Sequence, residues 1–297
     1  MILVIVIVII IVILIFLWLL SQHSIVDLFC SIIVRRSKRY RCRHRPKRII
    51  LVRHGESQGN QDTSIYSHVP DHAIGLTENG QEQARHCGEE LKKLIGPDET
   101  IMCFVSPFRR SKETCKLMCQ AFSQDNILKI REDPRIREQE WGNFQDIGSH
   151  ETTIMERKKI GRFFYRFRNG ESGADVYNRV SSFINSLNRE MDNYLMPNNN
   201  IIIVSHGLFM RLFLMRFYRW SVEKFHTLEN FDNCGYCILE RDDNDGKFVL
   251  KTELNTYPER KPTLSDSLEE TFVKQSFHAE VNPAIHTEDI GQIKKAK

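Results

Sequence analysis

Two histidines in this chain each close an apolar run and precede a glycine: His54 in Leu51-Val52-Arg53-His54-Gly55-Glu56-Ser57-Gln58-Gly59-Asn60, and His206 in Val204-Ser205-His206-Gly207. Two further fragments carry complementary groups, Ser106-Pro107-Phe108-Arg109-Arg110-Ser111 and Arg137-Glu138-Gln139-Glu140-Trp141-Gly142. An imidazole titrates near pH 6.5, so at neutral pH it can be an uncharged nucleophile once a neighbour fixes which nitrogen holds the proton. Guanidinium forks match phosphate oxygens, and a carboxyl can move a proton. Taken singly, an arginine or glutamate is usually a solvated surface group. Two histidines, two arginines and a carboxylate that converge would suit phosphoryl chemistry.

The elements around these fragments allow convergence. Ile49–Arg53, Thr100–Val105 and Ile201–Val204 read as short buried strands, and Arg53 and His54 fall at the C-terminal end of the first, where open α/β sheets bind ligands. Thr77 can cap a helix through Leu94 ended by Gly96, Arg109–Phe122 reads as a helix, and Ser172 with Asp175 resembles a capping box opening a helix to about Tyr194. Leu208–Tyr218 reads as a helix and Cys237–Thr252 as a hairpin turning at Asp245-Gly246. Alternating strands and helices predict a three-layer α/β/α fold with a mostly parallel central sheet.

With these fragments in this order, the chain resembles the histidine phosphatase superfamily, the phosphoglycerate-mutase-like proteins, over about residues 48–255. The resemblance rests on Arg-His-Gly-Glu-Ser-x-x-Asn (53–60), Ser-x-x-x-Arg (106–110), Glu-x-x-x-Gly (138–142) and Ser-His-Gly-x-x-x-Arg (205–211). Arg135-Ile136-Arg137-Glu138, the run 161–167 and Gly170-Glu171-Ser172 look like a plant and fungal subgroup of phosphoglycerate-mutase-like proteins or broad-range acid phosphatases. The resemblance implies that His54 attacks phosphorus and becomes a phosphohistidine that water hydrolyses. A carbonyl after Glu56 is the expected partner for its other ring nitrogen. Arg53 and Arg110 would clamp the phosphate oxygens, His206, if protonated, would add a third donor and Asn60 a neutral one. Glu138 would donate a proton to the leaving oxygen and later take one from water. Arg109 is a lesser candidate beside Arg110, and Glu140 beside Glu138. No metal or other cofactor is required, and the partner is a phosphorylated small molecule.

Within that resemblance a phosphoglycerate-type mutase is the alternative to hydrolysis. Mutases of the glycolytic type carry a longer insert with paired arginines after the acid, whereas about 33 residues separate Gly142 from Asp175 here, which favours a phosphomonoester hydrolase. An inactive membrane-tethered adaptor would be expected to lack one of His54, Arg53, Arg110 or His206, and all are present. Gly55-Glu56-Ser57-Gln58-Gly59 also matches the nucleophile elbow of serine hydrolases, but that serine needs a helix directly behind it, and Asn60–Pro70 is polar. The cluster Arg157, Lys158, Lys159, Arg162, Arg166 and Arg168 would line the substrate entrance or form a solvated face.

Charge is unevenly spread. Of 42 Lys and Arg, nine lie in residues 35–48, and Asp27 is the only acid before residue 49, so the first 48 residues carry +8 and the rest −4. A positive stripe for nucleic acid is therefore not expected on the body. Ile2–Leu20 are 19 consecutive apolar residues, enough to span a hydrocarbon core of about 30 Å. Basic residues on their C-terminal flank predict a single-pass membrane protein with a cytoplasmic catalytic domain. The expected organisation is a transmembrane anchor at 1–24, a basic juxtamembrane linker at 25–47, the catalytic domain at 48–255 and a polar, disordered tail at 256–297. That topology predicts free thiols for the eight cysteines, with Cys234 and Cys237 as buried strand thiols.

Overall fold

The computed structural model describes residues 9–16, 18, 26–33, 45–142, 155–157, 159–193 and 199–257. Its centre is a six-stranded sheet of β1 (Arg48–Arg53), β2 (Thr100–Val105), β3 (Ile127–Glu132), β4 (Asn199–Ser205), β5 (Tyr236–Arg241) and β6 (Phe248–Leu250), in the order β3-β2-β4-β1-β5-β6. β3, β2, β4 and β1 run parallel, β5 pairs antiparallel with β1, and β6 antiparallel with β5. The described helices of the body are α1 (Gln58–Gln61), α2 (Glu78–Leu94), α3 (Arg109–Cys119), α4 (Gly173–Asn193), α5 (Gly207–Tyr218) and α6 (Val222–Thr227).

β1 and β4 are apolar along both faces because both faces are covered. Ile49, Leu51, Ile201 and Ile203 pack with Val176, Val180 and Phe183 of α4 and Phe209 and Phe213 of α5. Ile50, Val52, Ile202 and Val204 pack with Ala84, Cys87 and Leu91 of α2 and Cys115 and Met118 of α3. Two cores on opposite faces of one sheet make the three-layer fold expected from the alternating pattern. The caps behave likewise: the Thr77 hydroxyl accepts the Gly80 N–H at 2.9 Å, and Ser172 and Asp175 bond reciprocally at the start of α4. The hairpin turns as expected, with Asp242 N–H donating to the Lys247 carbonyl and Gly246 at φ +70°.

Several expectations need correction. The helix expected over 109–122 stops at Cys119, with Gln120 as its C-cap. β3 was not anticipated: it is an edge strand whose residues are exposed or half-buried, so it has no buried face to impose an alternating pattern. α1 and α6 are single short turns and gave no periodic signal. The membrane span expected over residues 2–20 falls partly outside the described residues. Within them, residues 9–16 are helical and exposed, about 12 Å of helix at 1.5 Å per residue, and no described helix is long and apolar enough to cross a membrane. The chain divides into a unit ending at Asn255 and a second, Thr256–Lys297, of which only Thr256 and Tyr257 are described, so the expected tail lies outside the described residues.

Candidate active site

The parallel register brings three strand ends to one edge: Arg53 pairs with Ser205 and Val105 with Val204, so His54, Ser106 and His206 emerge side by side. Each is then held by the backbone. His54 N–H donates to the Ser205 carbonyl and Ser106 N–H to the Val204 carbonyl, at 3.0 Å each. The chain at Gly55 passes so close to α2 that an added Cβ would lie 2.5 Å from the Gly80 carbonyl oxygen, which is why a glycine follows His54. Thr114 of α3 completes the fixture, accepting the Gly55 N–H at 3.0 Å and donating to the Arg110 carbonyl at 2.7 Å.

His54 is 3% exposed, and its Nδ1 lies 2.8 Å from the carbonyl of Gly55, the residue before Glu56 rather than one after it. A carbonyl only accepts, so Nδ1 carries the proton and Nε2 keeps a free lone pair. Burial, then Arg110 and Arg53, push the His54 pKa well below 6.5, which holds the ring neutral. His206 stands against it, ring centroids 5.1 Å apart at 61°. Burial and Arg110 depress the His206 pKa in the same way, so a charged His206 donor is not what this environment favours. Its Nε2 lies 2.8 Å from the Ser106 hydroxyl, and its Nδ1 is buried without a hydrogen-bond partner. If Ser106 donates to Nε2, the neutral ring presents an Nδ1–H, the same donation expected of an imidazolium without its charge.

Arg110 is 3% exposed, donates to the Asp71 carboxylate at 2.7 Å and the Asp71 carbonyl at 2.8 Å, and lies over the Phe108 ring at 4.9 Å. Arg53 donates to the Phe231 carbonyl, while its buried Nε has no partner. Burial lowers the Arg53 pKa from its ordinary value, opposed by Glu138 and Asp232. Two helices begin at this edge, α3 after Phe108 and α5 after His206, and neither N-cap side chain caps its own first turn. The positive helix ends therefore add to the field that the arginines make.

Glu138 enters from the loop after a short turn at Pro134–Ile136, which Ser205 ties to the β4 end by donating to the Ile136 carbonyl at 2.7 Å. One Glu138 oxygen accepts the Gln139 N–H at 2.9 Å, and the other lies 3.8 Å from His206 Nδ1. Burial raises its pKa above 4.5, opposed by that N–H and by Arg110. Glu138 and Asp71 also line a cavity of about 370 Å³ with Tyr66, His72, Phe108 and Trp141.

Five of the six expected site residues, His54, Arg53, Arg110, His206 and Glu138, thus come together at the strand edge. Asn60 is exposed on α1, and its Oδ1 accepts from the Ser57 N–H and hydroxyl at 3.1 Å, leaving only its amide nitrogen as a donor. Arg109 turns outward to Glu113 at 2.7 Å. Glu140 is exposed and its N–H donates to Glu171. Ser57 is no strained elbow: at φ −97° it caps α1, and contrary to expectation a one-turn helix does follow it. The basic cluster disperses: Arg157 stacks over Trp141 at 5.0 Å, Arg162 donates to the His226 carbonyl, Arg166 pairs with Asp175, and Lys158 lies outside the described residues.

Asp71, Ser106 and Arg179 were not singled out from sequence. Ser106 opens the Ser-x-x-x-Arg motif and so carries a sequence signal, whereas Asp71 and Arg179 come from distant loop and helix positions with none. Among the described residues one group of metal-capable side chains lies together, the buried thiols Cys103, Cys115 and Cys119, within 4.8 Å of one another. They belong to the core between β2 and α3, not to the strand edge. Cys30, Cys87, Cys234 and Cys237 are also free thiols, and Cys234 precedes β5 rather than standing in it.

The family model for the histidine phosphatase superfamily, branch 1, matches residues 49–253. A phosphoglycerate mutase-like protein of Arabidopsis thaliana is 44% identical over 208 residues, covering 66% of this chain and 74% of that one. A broad-range acid phosphatase of Saccharomyces cerevisiae is 29% identical over 300 residues, covering 71% of this chain and 90% of its own. Among solved structures, a putative alpha-ribazole-5'-P phosphatase from Escherichia coli superposes with a TM-score of 0.53 at 24% identity over 70% of this chain and 96% of its own, a likeness of fold.

Proposed function

Because the chain belongs to branch 1 of the histidine phosphatase superfamily, we propose that it is a phosphomonoester hydrolase in which His54 Nε2 attacks phosphorus and Glu138 protonates the leaving oxygen. The observation that carries this reading is the His54 ring: buried, neutral, and bonded through Nδ1 to the Gly55 carbonyl, so that a single nitrogen is left to attack. As the bond to the leaving group breaks, charge on the equatorial oxygens meets Arg53, Arg110 and the His206 Nδ1–H. Glu138, protonated for the first step, becomes the base that activates water for the second. Water suits this pocket better as acceptor than a rebound phosphoglycerate. Beyond Arg53 and Arg110, which face the transferring phosphoryl group, the one arginine among the described residues lining the adjoining cavity, Arg137, is already committed to Glu171 at 2.8 Å.

The pH dependence follows from the two shifts. His54, depressed below 6.5, stays nucleophilic into the acid range. Glu138, raised above 4.5, keeps its proton there and loses it as pH rises. The kcat/KM profile is therefore a bell with its optimum on the acid side. The test is phosphate release from an aryl phosphate in chelator across pH 4–8, with acid-quench trapping of the phosphoenzyme. His54→Ala should abolish both trapping and turnover, a loss on the order of 10⁴-fold or more. A His54→Ala enzyme that turns over normally sinks the reading.

We further propose that the chain is membrane-held with its catalytic domain cytoplasmic. The supports are the apolar run 2–20 and the basic block 35–48, which would draw anionic headgroups at about 1 kcal/mol per residue. Localising the tagged full-length chain tests this, and a diffuse cytosolic signal rejects it.

A further inference from the structure

The segment that carries Glu138 has no sheet ladder to hold it, yet its carbonyls converge on one side chain. Arg179 of α4 donates through Nη1 to the carbonyls of Arg135 and Arg137, at 2.8 and 2.7 Å, and through Nη2 to that of Glu138 at 2.9 Å. Its Nε and remaining Nη2 proton go to the two oxygens of Glu171, at 3.0 and 2.9 Å. A guanidinium has five N–H donors, and all five are used. Glu171 extends the platform, accepting from Arg137 at 2.8 Å and from the Glu140 N–H at 3.1 Å, while its carbonyl takes the Gln139 side chain at 2.7 Å. Both groups are close to buried, with side-chain exposures of 10% and 13%. Arg179 sits in a 21-residue helix whose Val176, Val180 and Phe183 are in the core, so the platform is anchored to the rigid body of the fold.

We propose that Arg179, seated on Glu171, is the positioning residue for the proton-donating carboxyl of Glu138. The inference rests on the hydrolase reading above. Arg179 acts on the donor twice: its fork fixes the backbone from which Glu138 projects, and its charge adds to that of Arg110 in holding the Glu138 proton less tightly. The other charged or titratable groups bearing on Glu138 are Arg53 from β1, Asp71 and Tyr66 from the loop after α1, Arg157, and His206 at the head of α5. A lysine could keep the charge but not the fork.

A misplaced proton donor has a signature that loss of general support lacks. It matters for leaving groups that need a proton and little for those that do not. The full chain is assayed with glycerol phosphate, a poor leaving group, and 4-nitrophenyl phosphate, a good one, in the wild type, Arg179→Met, Arg179→Lys and Glu138→Gln. Both Arg179 variants should lose about 10²-fold in kcat/KM on the alkyl ester and under about 10-fold on the aryl ester, the pattern of Glu138→Gln. The alkaline limb of kcat/KM should move to higher pH in Arg179→Met, which removes a cation, and stay near the wild-type position in Arg179→Lys. Equal losses on both esters in Arg179→Lys, the variant that keeps the charge in the fold, or an alkaline limb that does not move in Arg179→Met, would overturn the proposal. If the wild type itself forms no phosphoenzyme from either ester, the hydrolase reading has failed instead.

Discussion

The two ends of the pocket are built differently. At the phosphate end, His54, Ser106 and His206 sit at the tips of parallel strands locked by ladder bonds, and Arg110 rises from the first turn of a helix packed on the core. At the leaving-group end, Glu138 projects from an irregular segment whose carbonyls hang on one guanidinium. The surrounding walls, Tyr66, His72 and Trp141, come from turns and loops. The phosphate end can be rigid because every phosphomonoester presents the same group, so precision there costs nothing in range. The other end meets whatever the ester carries, and loops can differ there without disturbing the strand edge.

If that division is right, substitutions at the two ends differ in kind as well as size. Arg110→Ala should have the larger effect, about 10²–10³-fold on kcat/KM and nearly the same for every ester, measured across alkyl, aryl and sugar phosphates. A loss confined to one ester would mean that Arg110 reads the leaving group rather than the phosphoryl group. Trp141→Ala should cost about 5-fold in KM for aryl phosphates through a lost aromatic contact, with no change in the inhibition constant of inorganic phosphate. If phosphate inhibition weakens equally, the ends are coupled and the comparison breaks. Ser57→Ala should have the smallest effect on turnover. It removes the α1 cap, worth about 0.5–2 kcal/mol of stability seen as a lower Tm, and leaves activity within about 10-fold. Abolished activity with a normal Tm would return the serine-hydrolase reading.

The strand edge was legible because local pattern and chemistry coincide there: an apolar run that must be buried on both faces ends in Arg53-His54-Gly55, and another in Ser205-His206-Gly207. The leaving-group end was legible only at Glu138. Asp71 lies 39 residues before Arg110, and Arg179 lies 41 residues after Glu138, with no periodicity linking either pair. β3 escaped notice for a related reason, since an edge strand with little burial imposes no alternation.

Sequence by itself determined the layers, the order of the catalytic fragments and the identities of the groups that could transfer a phosphoryl group, because burial periodicity and side-chain chemistry are local properties. Only the tertiary structure decided that the His54 proton rests on the Gly55 carbonyl, that burial favours a neutral His206, and that Arg110 rather than Arg109 faces inward. It also brought Arg179 onto the carbonyl of Glu138. Those outcomes are set by burial and by which neighbours, near or far in the chain, each polar group meets, and neither is fixed until the chain has folded.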